Sequence, residues 1–137
     1  MTNWKLLAVL GILAFVAAAG CRQTKTVIAQ GPMVQSVQLI GVPKELTVVQ
    51  QTPEKDPDGN LKRVQAQIRN ESSKNKAWQL EYQVQFFNAA GREVPSVAKG
   101  WVPLTIGRGE LTSLNGATIL PGAVRATIAV REYIPKQ

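Results

Sequence analysis

Histidine is absent from the sequence, and cysteine occurs only once, as Cys21. The lack of histidine removes the commonest general base, the Ser/His and Cys/His nucleophile pairs and the commonest metal ligand. A single cysteine excludes an internal disulfide and every cysteine-based zinc pattern. With 137 residues, the chain is predicted to form one domain.

Acidic residues are also scarce, since 9 Asp and Glu stand against 16 Lys and Arg and leave a formal charge of +7. The basic residues are spread along the chain in short pairs such as Lys62-Arg63. Nucleic-acid binding favours clustered charge on a recognisable module, and the sequence contains neither. We therefore expect a solvated basic face and no nucleic-acid partner.

The first 20 residues are typical of a bacterial export signal. Lys5 precedes an apolar run at 6–19, "LLAVLGILAFVAAA", which is shorter than the about 20 residues of a membrane-spanning helix. Ala18, Ala19 and Gly20 then lead into Cys21. These residues resemble the lipobox of bacterial lipoproteins, Leu-Ala/Ser-Gly/Ala-Cys, with Ala18 at the position where leucine is usual.

The lipobox resemblance implies that signal peptidase recognises Ala18, Ala19 and Gly20 and that Cys21 becomes the lipidated N-terminus. Two or three acyl chains anchor a protein stably, whereas one chain binds marginally. The thiol would then be a thioether and not a nucleophile. Arg22 stands where aspartate retains enteric lipoproteins in the inner membrane, so the sequence favours the periplasmic side of the outer membrane.

The rest of the chain is predicted to form strands. "WQLEYQVQFF" at 78–87 alternates apolar and polar residues, and "RVQAQIRN" at 63–70 does the same. Shorter candidate strands lie at 34–42, 45–51, 100–106, 110–115 and 124–134, with turn residues between them. We expect an all-β, immunoglobulin-like antiparallel β-sandwich at 35–137, preceded by a signal peptide helix at 1–20 and a flexible lipidated tether at 21–34.

Several residues carry a family resemblance: Asn70, "LEYQVQFFNAAGREV" at 80–94, Trp101, Leu114, Gly116 and "LPGAVRATIAVRE" at 120–132. The pattern resembles the YcfL-like family of small bacterial envelope lipoproteins. Asn88 stands where the family has aspartate, and it can still hydrogen-bond the turn before Gly91. The resemblance implies an exported lipoprotein with a β-sandwich, and it implies no known reaction.

Two groups of acidic residues are candidate sites with simpler interpretations. "DPDGN" at 56–60 is similar to a calcium loop, but its glycine directly follows Asp58, and Asp-Gly favours a turn. Glu81, Glu93 and Glu110 are scattered over predicted outward faces or turns rather than paired across a cleft. The sequence therefore predicts no metal site, no cofactor and no enzymatic activity.

Two tryptophans are candidate aromatic platforms for sugars. Trp78 shares a predicted face with Leu80 and Tyr82, which favours a place in the core or at its edge. Trp101 lies near a strand start, and we keep open whether it packs in the core or binds a ligand. We expect a lipid-anchored, non-catalytic binding or structural module whose partners are the membrane and another envelope protein. A glycan-binding module for peptidoglycan or polysaccharide is the alternative.

Overall fold

A computed structural model describes residues 24–28, 34–74 and 76–135. The predicted signal peptide helix at 1–20 and Cys21 lie outside these residues. The described chain is all β, and its strands are β1 (Thr24–Ile28), β2 (Gln35–Ile40), β3 (Leu46–Lys55), β4 (Leu61–Asn70), β5 (Trp78–Asn88), β6 (Glu93–Val94), β7 (Val102–Ile106), β8 (Leu111–Ala117) and β9 (Ala123–Glu132).

The strands form two sheets, which confirms the predicted β-sandwich. Sheet A has the order β1-β2-β9-β5-β6, and β7 also pairs with β5. Sheet B has the order β3-β4-β8. All pairings are antiparallel except that of β2 with β9, which is parallel. No β-hairpin could join β2 to β9, since parallel strands need a long connection, and here most of the domain lies between them.

The core lies between the sheets and is supplied by alternate residues of each strand. In β5, Leu80, Val84 and Phe86 are buried, as the alternation predicts, and Phe86 is fully inaccessible. Gln83 and Gln85 lie on the opposite face and are half-buried. Trp78 packs against the core at its edge, as expected from its place in the pattern.

The two sheets lie close together at Gly116 of β8. A Cβ atom at this position would lie 2.4 Å from Cγ1 of Val84 in β5, which is closer than real Cβ contacts. The absence of a side chain at Gly116 therefore lets β8 approach β5 at this point. The contact places β8 directly over β5 in the sandwich.

Asn88 and Gly91 form the turn of the β5–β6 hairpin, as the sequence predicts. Gly91 has a φ of 79°, which glycine adopts without the strain that a Cβ atom would cause. The side-chain Oδ1 of Asn88 accepts a hydrogen bond from the backbone N–H of Arg92 at 2.9 Å. The amide thus does in this turn what an aspartate would do.

The predicted tether at 21–34 differs from the structure, because residues 24–28 form a strand. β1 pairs with β2, from Thr24 opposite Ile40 to Ile28 opposite Ser36. The β-branched residues of "TKTVI" suit a strand, and the polar composition around them conceals this signal. β3 also continues four residues beyond the predicted 45–51, as far as Lys55. Pro53 is tolerated there because β3 is an edge strand.

Candidate functional site

Trp101, Arg131 and Glu81 form a cluster on the outer face of sheet A. Glu81 of β5 lies opposite Arg131 of β9 in the register, and Nε of Arg131 donates a hydrogen bond to Oε1 of Glu81 at 2.5 Å. The guanidinium carbon of Arg131 lies 3.7 Å from the centre of the Trp101 ring. Such stacking is favourable because the face of the indole is electron-rich. The arginine therefore holds an aromatic ring and a carboxylate together.

The core position considered for Trp101 is wrong. Val102 begins β7 opposite Tyr82 and shares its inward face, so the preceding residue belongs to the outer face. Trp101 is half-buried there beside Arg131 and is not part of the buried core. The single sequence gave no signal for this contact, since it depends on the register between three strands.

The three glutamates that the sequence singled out lie on different elements and have different surroundings. Glu81 is on the outward face, as predicted, but Arg131 covers it and its side chain is only 10% exposed. Oε2 of Glu110 accepts a hydrogen bond from the backbone N–H of Gly107 at 2.6 Å and so closes the turn before β8. Glu93 is exposed in the short β6 strand.

The "DPDGN" segment forms the predicted turn between β3 and β4. Oδ1 of Asp56 accepts hydrogen bonds from the backbone N–H groups of Asp58 and Asn60, at 3.0 and 2.8 Å. Desolvation raises the pKa of Asp56, but these bonds and Lys62 outweigh it, so the pKa lies below its usual value. Among the described residues no group of three or more His, Cys, Asp or Glu could hold a metal ion.

The recognition residues Ala18, Ala19 and Gly20 and the lipidation residue Cys21 lie outside the described residues. Thr24, three positions after Cys21, starts β1 opposite Ile40, and Ile40 lies opposite Arg131 near the end of β9. The chain therefore enters the sandwich at one defined end. We call it the proximal end; it comprises the start of β1, residues 41–45, 107–110 and 133–135.

Among the described residues, three turns form the opposite, distal end, at 56–60, 88–92 and 118–122. The backbone N–H of Gly122 donates a hydrogen bond to Oδ1 of Asn60 at 3.2 Å, which joins two of these turns. Asn88 lies opposite Ala123, which places the third turn beside them. Ile119 is 86% exposed at this end.

A polar contact inside the sandwich was not predicted. Gln35 is fully buried, and its Nε2 donates hydrogen bonds to Oε1 of Gln51 and to the backbone oxygen of Gln65. Nε2 of Gln51 in turn donates to the backbone oxygen of Val27 in β1. These glutamines tie the edge strand β1 to sheet B, and a sequence alone does not distinguish them from the solvent-facing glutamines of β5.

Two hollows on the described part of the sandwich are shallow and open to solvent. Their volumes are about 390 and 440 Å³. One lies by Phe87 and Arg125, and another lies between Val97 and the outer face of sheet B. Within the described ranges, the structure also contains no helix that is long and apolar enough to cross a bilayer.

Two solved structures share the fold. The crystal structure of Campylobacter jejuni cj0090 aligns with a TM-score of 0.53 at 19% identity, over 71% of this chain and 97% of that one. A DUF1425 family member from Shewanella sp. pv-4 aligns with a TM-score of 0.54 at 18% identity, over 82% of this chain and 99% of that one. No curated protein matches the sequence.

A family model covers residues 29–132, from the end of β1 to the end of β9. Its description is "Protein of unknown function (DUF1425)". The match includes both sheets and every turn of the distal end, so it extends over the whole sandwich after β1. The chain belongs to the DUF1425 family.

Proposed function

We propose that the protein is a YcfL-like lipoprotein of the bacterial envelope, in which a lipid on Cys21 anchors a non-catalytic β-sandwich that binds another envelope protein. The observation that carries the proposal is the sequence Ala19-Gly20-Cys21 directly after an apolar run. The anchor would lie on the periplasmic side of the outer membrane, since Arg22 is not the aspartate of the inner-membrane retention rule.

The start of β1 brings the sandwich close to the proposed anchor. Only Arg22 and Gln23 separate Cys21 from Thr24, and three extended residues span about 10 Å. A freely jointed tether of about 13 residues would span about 20 Å. The proximal end would therefore face the membrane closely, and the distal end and the sides of the sandwich would be open to partners.

Two of the acids that the sequence singled out are engaged within the fold, which supports a role in binding. Glu81 is engaged by Arg131, and Glu110 closes a backbone turn. An acid that serves as general acid or base needs a position beside a substrate and a partner across a cleft. These side chains lie on different elements and serve the fold.

The glycan-binding alternative is less well supported. A sugar ring stacks on a free aromatic face, and in this sandwich the Arg131 guanidinium occupies one face of Trp101. Trp78 is turned to the core. Trp101, the candidate platform for a sugar, is therefore stacked on Arg131 within a side-chain cluster.

Membrane fractionation of the native host tests the anchor. Wild-type protein is expected in the outer-membrane fraction, and Cys21→Ser, which has no thiol to acylate, is expected as precursor or soluble protein. Arg22→Asp keeps the thiol and should move the protein to the inner membrane under the enteric rule. A Cys21→Ser protein that fractionates with the outer membrane like the wild type would contradict the proposal.

Substitutions of the exposed acids test whether any of them has a catalytic or ion-binding role. Glu93→Gln removes acid–base capacity and keeps the size of the side chain, so any cellular phenotype of a deletion should still be complemented. Glu110→Gln should do the same, with a small loss of stability from the weaker hydrogen bond to Gly107. Loss of complementation by a folded and correctly localised variant would indicate a catalytic or ion-binding acid.

A further inference from the structure

Sheet A extends one strand beyond sheet B on one side of the sandwich. β8 lies over β5, and β7 pairs with the far side of β5. The inward side chains of β7 lie opposite those of β5, with Val102 beside Tyr82 and Leu104 beside Leu80. Val102, Leu104 and Tyr82 are only half-buried, whereas Ile106 at the end of β7 is fully buried. The start of β7 thus presents an apolar strip that no described strand of sheet B covers.

The edge of β8 beside this strip has unpaired backbone groups. The N–H of Asn70 donates to the oxygen of Glu110, and the N–H of Thr118 donates to the oxygen of Lys62. Even-numbered residues of β8 therefore face β4, because backbone groups alternate in an antiparallel pair. Leu111, Ser113 and Asn115 turn their N–H and C=O groups to the outside, where no described residue pairs with them.

One backbone contact already occupies the distal end of this edge. The backbone N–H of Val97 donates to the oxygen of Ala117 at 2.8 Å, on the outer side of β8. This bond is a single rung of pairing at the distal end of β8. The edge remains open from Leu111 to Asn115.

The β3 and β7 edges of the sandwich are protected against pairing. β3 contains Pro53, charged residues and a register shift between Val48 and Gln50, and β7 contains Pro103. Proline, charge and bulges are the devices by which native proteins prevent edge pairing. β8, "LTSLNGA", has no charge, no proline and no register shift.

We infer that the β8 edge binds an extended segment of a partner protein, which adds a fourth strand to sheet B over the start of β7. The inference rests on the proposed function and names the binding surface of that module. Main-chain bonds to Ser113 and its neighbours supply affinity, and alternate side chains supply specificity. The inward side chains of the partner segment are apolar, since they pack on Tyr82, Val102 and Leu104.

A second copy of the chain does not fit this edge. A two-fold axis that pairs two β8 strands makes them antiparallel, so it puts the proximal end of one copy beside the distal end of the other. The two Cys21 anchors would then lie at opposite ends of the dimer. The proposed function puts both anchors in one membrane with the proximal ends toward it, so two copies cannot form that pair, and the occupant is a different chain.

Photo-crosslinking in the native envelope identifies the occupant. Benzoylphenylalanine in place of Ser113, whose side chain is exposed on the outer face next to the open edge, should capture one partner segment. The same group in place of Glu54, exposed on the protected β3 edge, should not capture it. Equal capture at both positions, no capture at Ser113, or capture of a second copy of this chain overturns the inference.

The captured segment, made as a synthetic peptide, then tests the pairing itself. With the folded protein it should slow amide hydrogen exchange of Ser113 and Asn115, which point outward, and leave Gln50 of β3 unchanged. Ser113→Pro removes one outward N–H, and a proline at an edge is compatible with the fold. We expect it to weaken peptide affinity about tenfold, corresponding to about 1.4 kcal/mol.

Ser113→Ala is the matched control, because it removes the hydroxyl and keeps the N–H, so it should leave the affinity unchanged. Equal losses from both variants would mean that the peptide contacts the side chain rather than the edge, and the inference would be wrong. Crosslinking is scored only in protein shown by mass to be acylated. If acylated protein captures no partner at Ser113, the inference about β8 is wrong and the proposed anchor is unaffected. If the native protein is not acylated, the proposed function is wrong.

Discussion

Asn70 shows how much of the fold depends on one buried polar side chain. It is fully inaccessible at the end of β4, and its Nδ2 donates hydrogen bonds to the backbone oxygens of Lys76 and Ile106. Its Oδ1 accepts a bond from the backbone N–H of Ser72. The residue thereby joins the β4–β5 connection to the end of β7, which explains why an amide closes this strand.

Asn70→Ala should lower the free energy of unfolding by about 2–4 kcal/mol, because each buried group left without a partner costs about 1–3 kcal/mol. Asn88→Ala is the control, since it removes one exposed turn hydrogen bond and should cost about 0.5–1.5 kcal/mol. Urea unfolding of both variants measures the difference. Equal costs would mean that the Asn70 network does not hold the strands together.

Asp56 gives the stability of the domain a pH dependence. Its pKa is lowered in the folded protein, so the carboxylate contributes stability above its ordinary pKa and loses it as the pH falls toward the folded value. Asp56→Asn keeps an acceptor for the turn but does not titrate. The stability difference between wild type and Asp56→Asn should be constant from pH 5 to 8 and should shrink below about pH 4. A difference that stays constant down to pH 3 would contradict the lowered pKa.

A strand could be predicted from the sequence where apolar and polar residues alternate within that strand. β4 and β5 alternate clearly, and the Asp-Gly and Asn-Ala-Ala-Gly turns have local chemistry, so their places follow from sequence. β1 and the Trp101 cluster were not predictable in this way. The pairing of β1 with β2 and the meeting of Trp101 with Arg131 depend on registers between strands that are distant in the chain.

The two faces of β5 should differ strongly in their contribution to stability. Phe86→Ala should cost about 3–5 kcal/mol, because it empties a fully buried site in the core. Gln85→Ala, on the opposite face, should change stability by no more than about 0.5 kcal/mol. Thermal or urea unfolding of the two variants checks the assignment, and similar costs would refute it.

The close approach of β8 and β5 can be tested by a pair of substitutions. Gly116→Ala places a Cβ atom against Val84 and should cost about 1–3 kcal/mol, as overpacked cores do. Val84→Ala removes the methyl groups that the new atom meets, so the double variant should be more stable than the sum of the single effects predicts. Additive effects would show that the sheets separate freely at this point.

At the scale of the whole molecule, the sandwich places its entry point and its open edge apart. The chain enters at the proximal end of β1, at one edge of sheet A, and the unprotected β8 strand is at the opposite side of sheet B. A protein held to the membrane through Cys21 would therefore keep β8 free for a partner.

Intact mass spectrometry of the protein purified from its native envelope is the sharpest test of the lipid anchor. We predict a chain that begins at Cys21 and carries diacylglycerol, with or without an acyl group on its amino terminus. Cys21→Ser, expressed in the same host, should not show this mass. A native chain that still begins at Met1, or that begins elsewhere without lipid, would show that Cys21 is not the anchor.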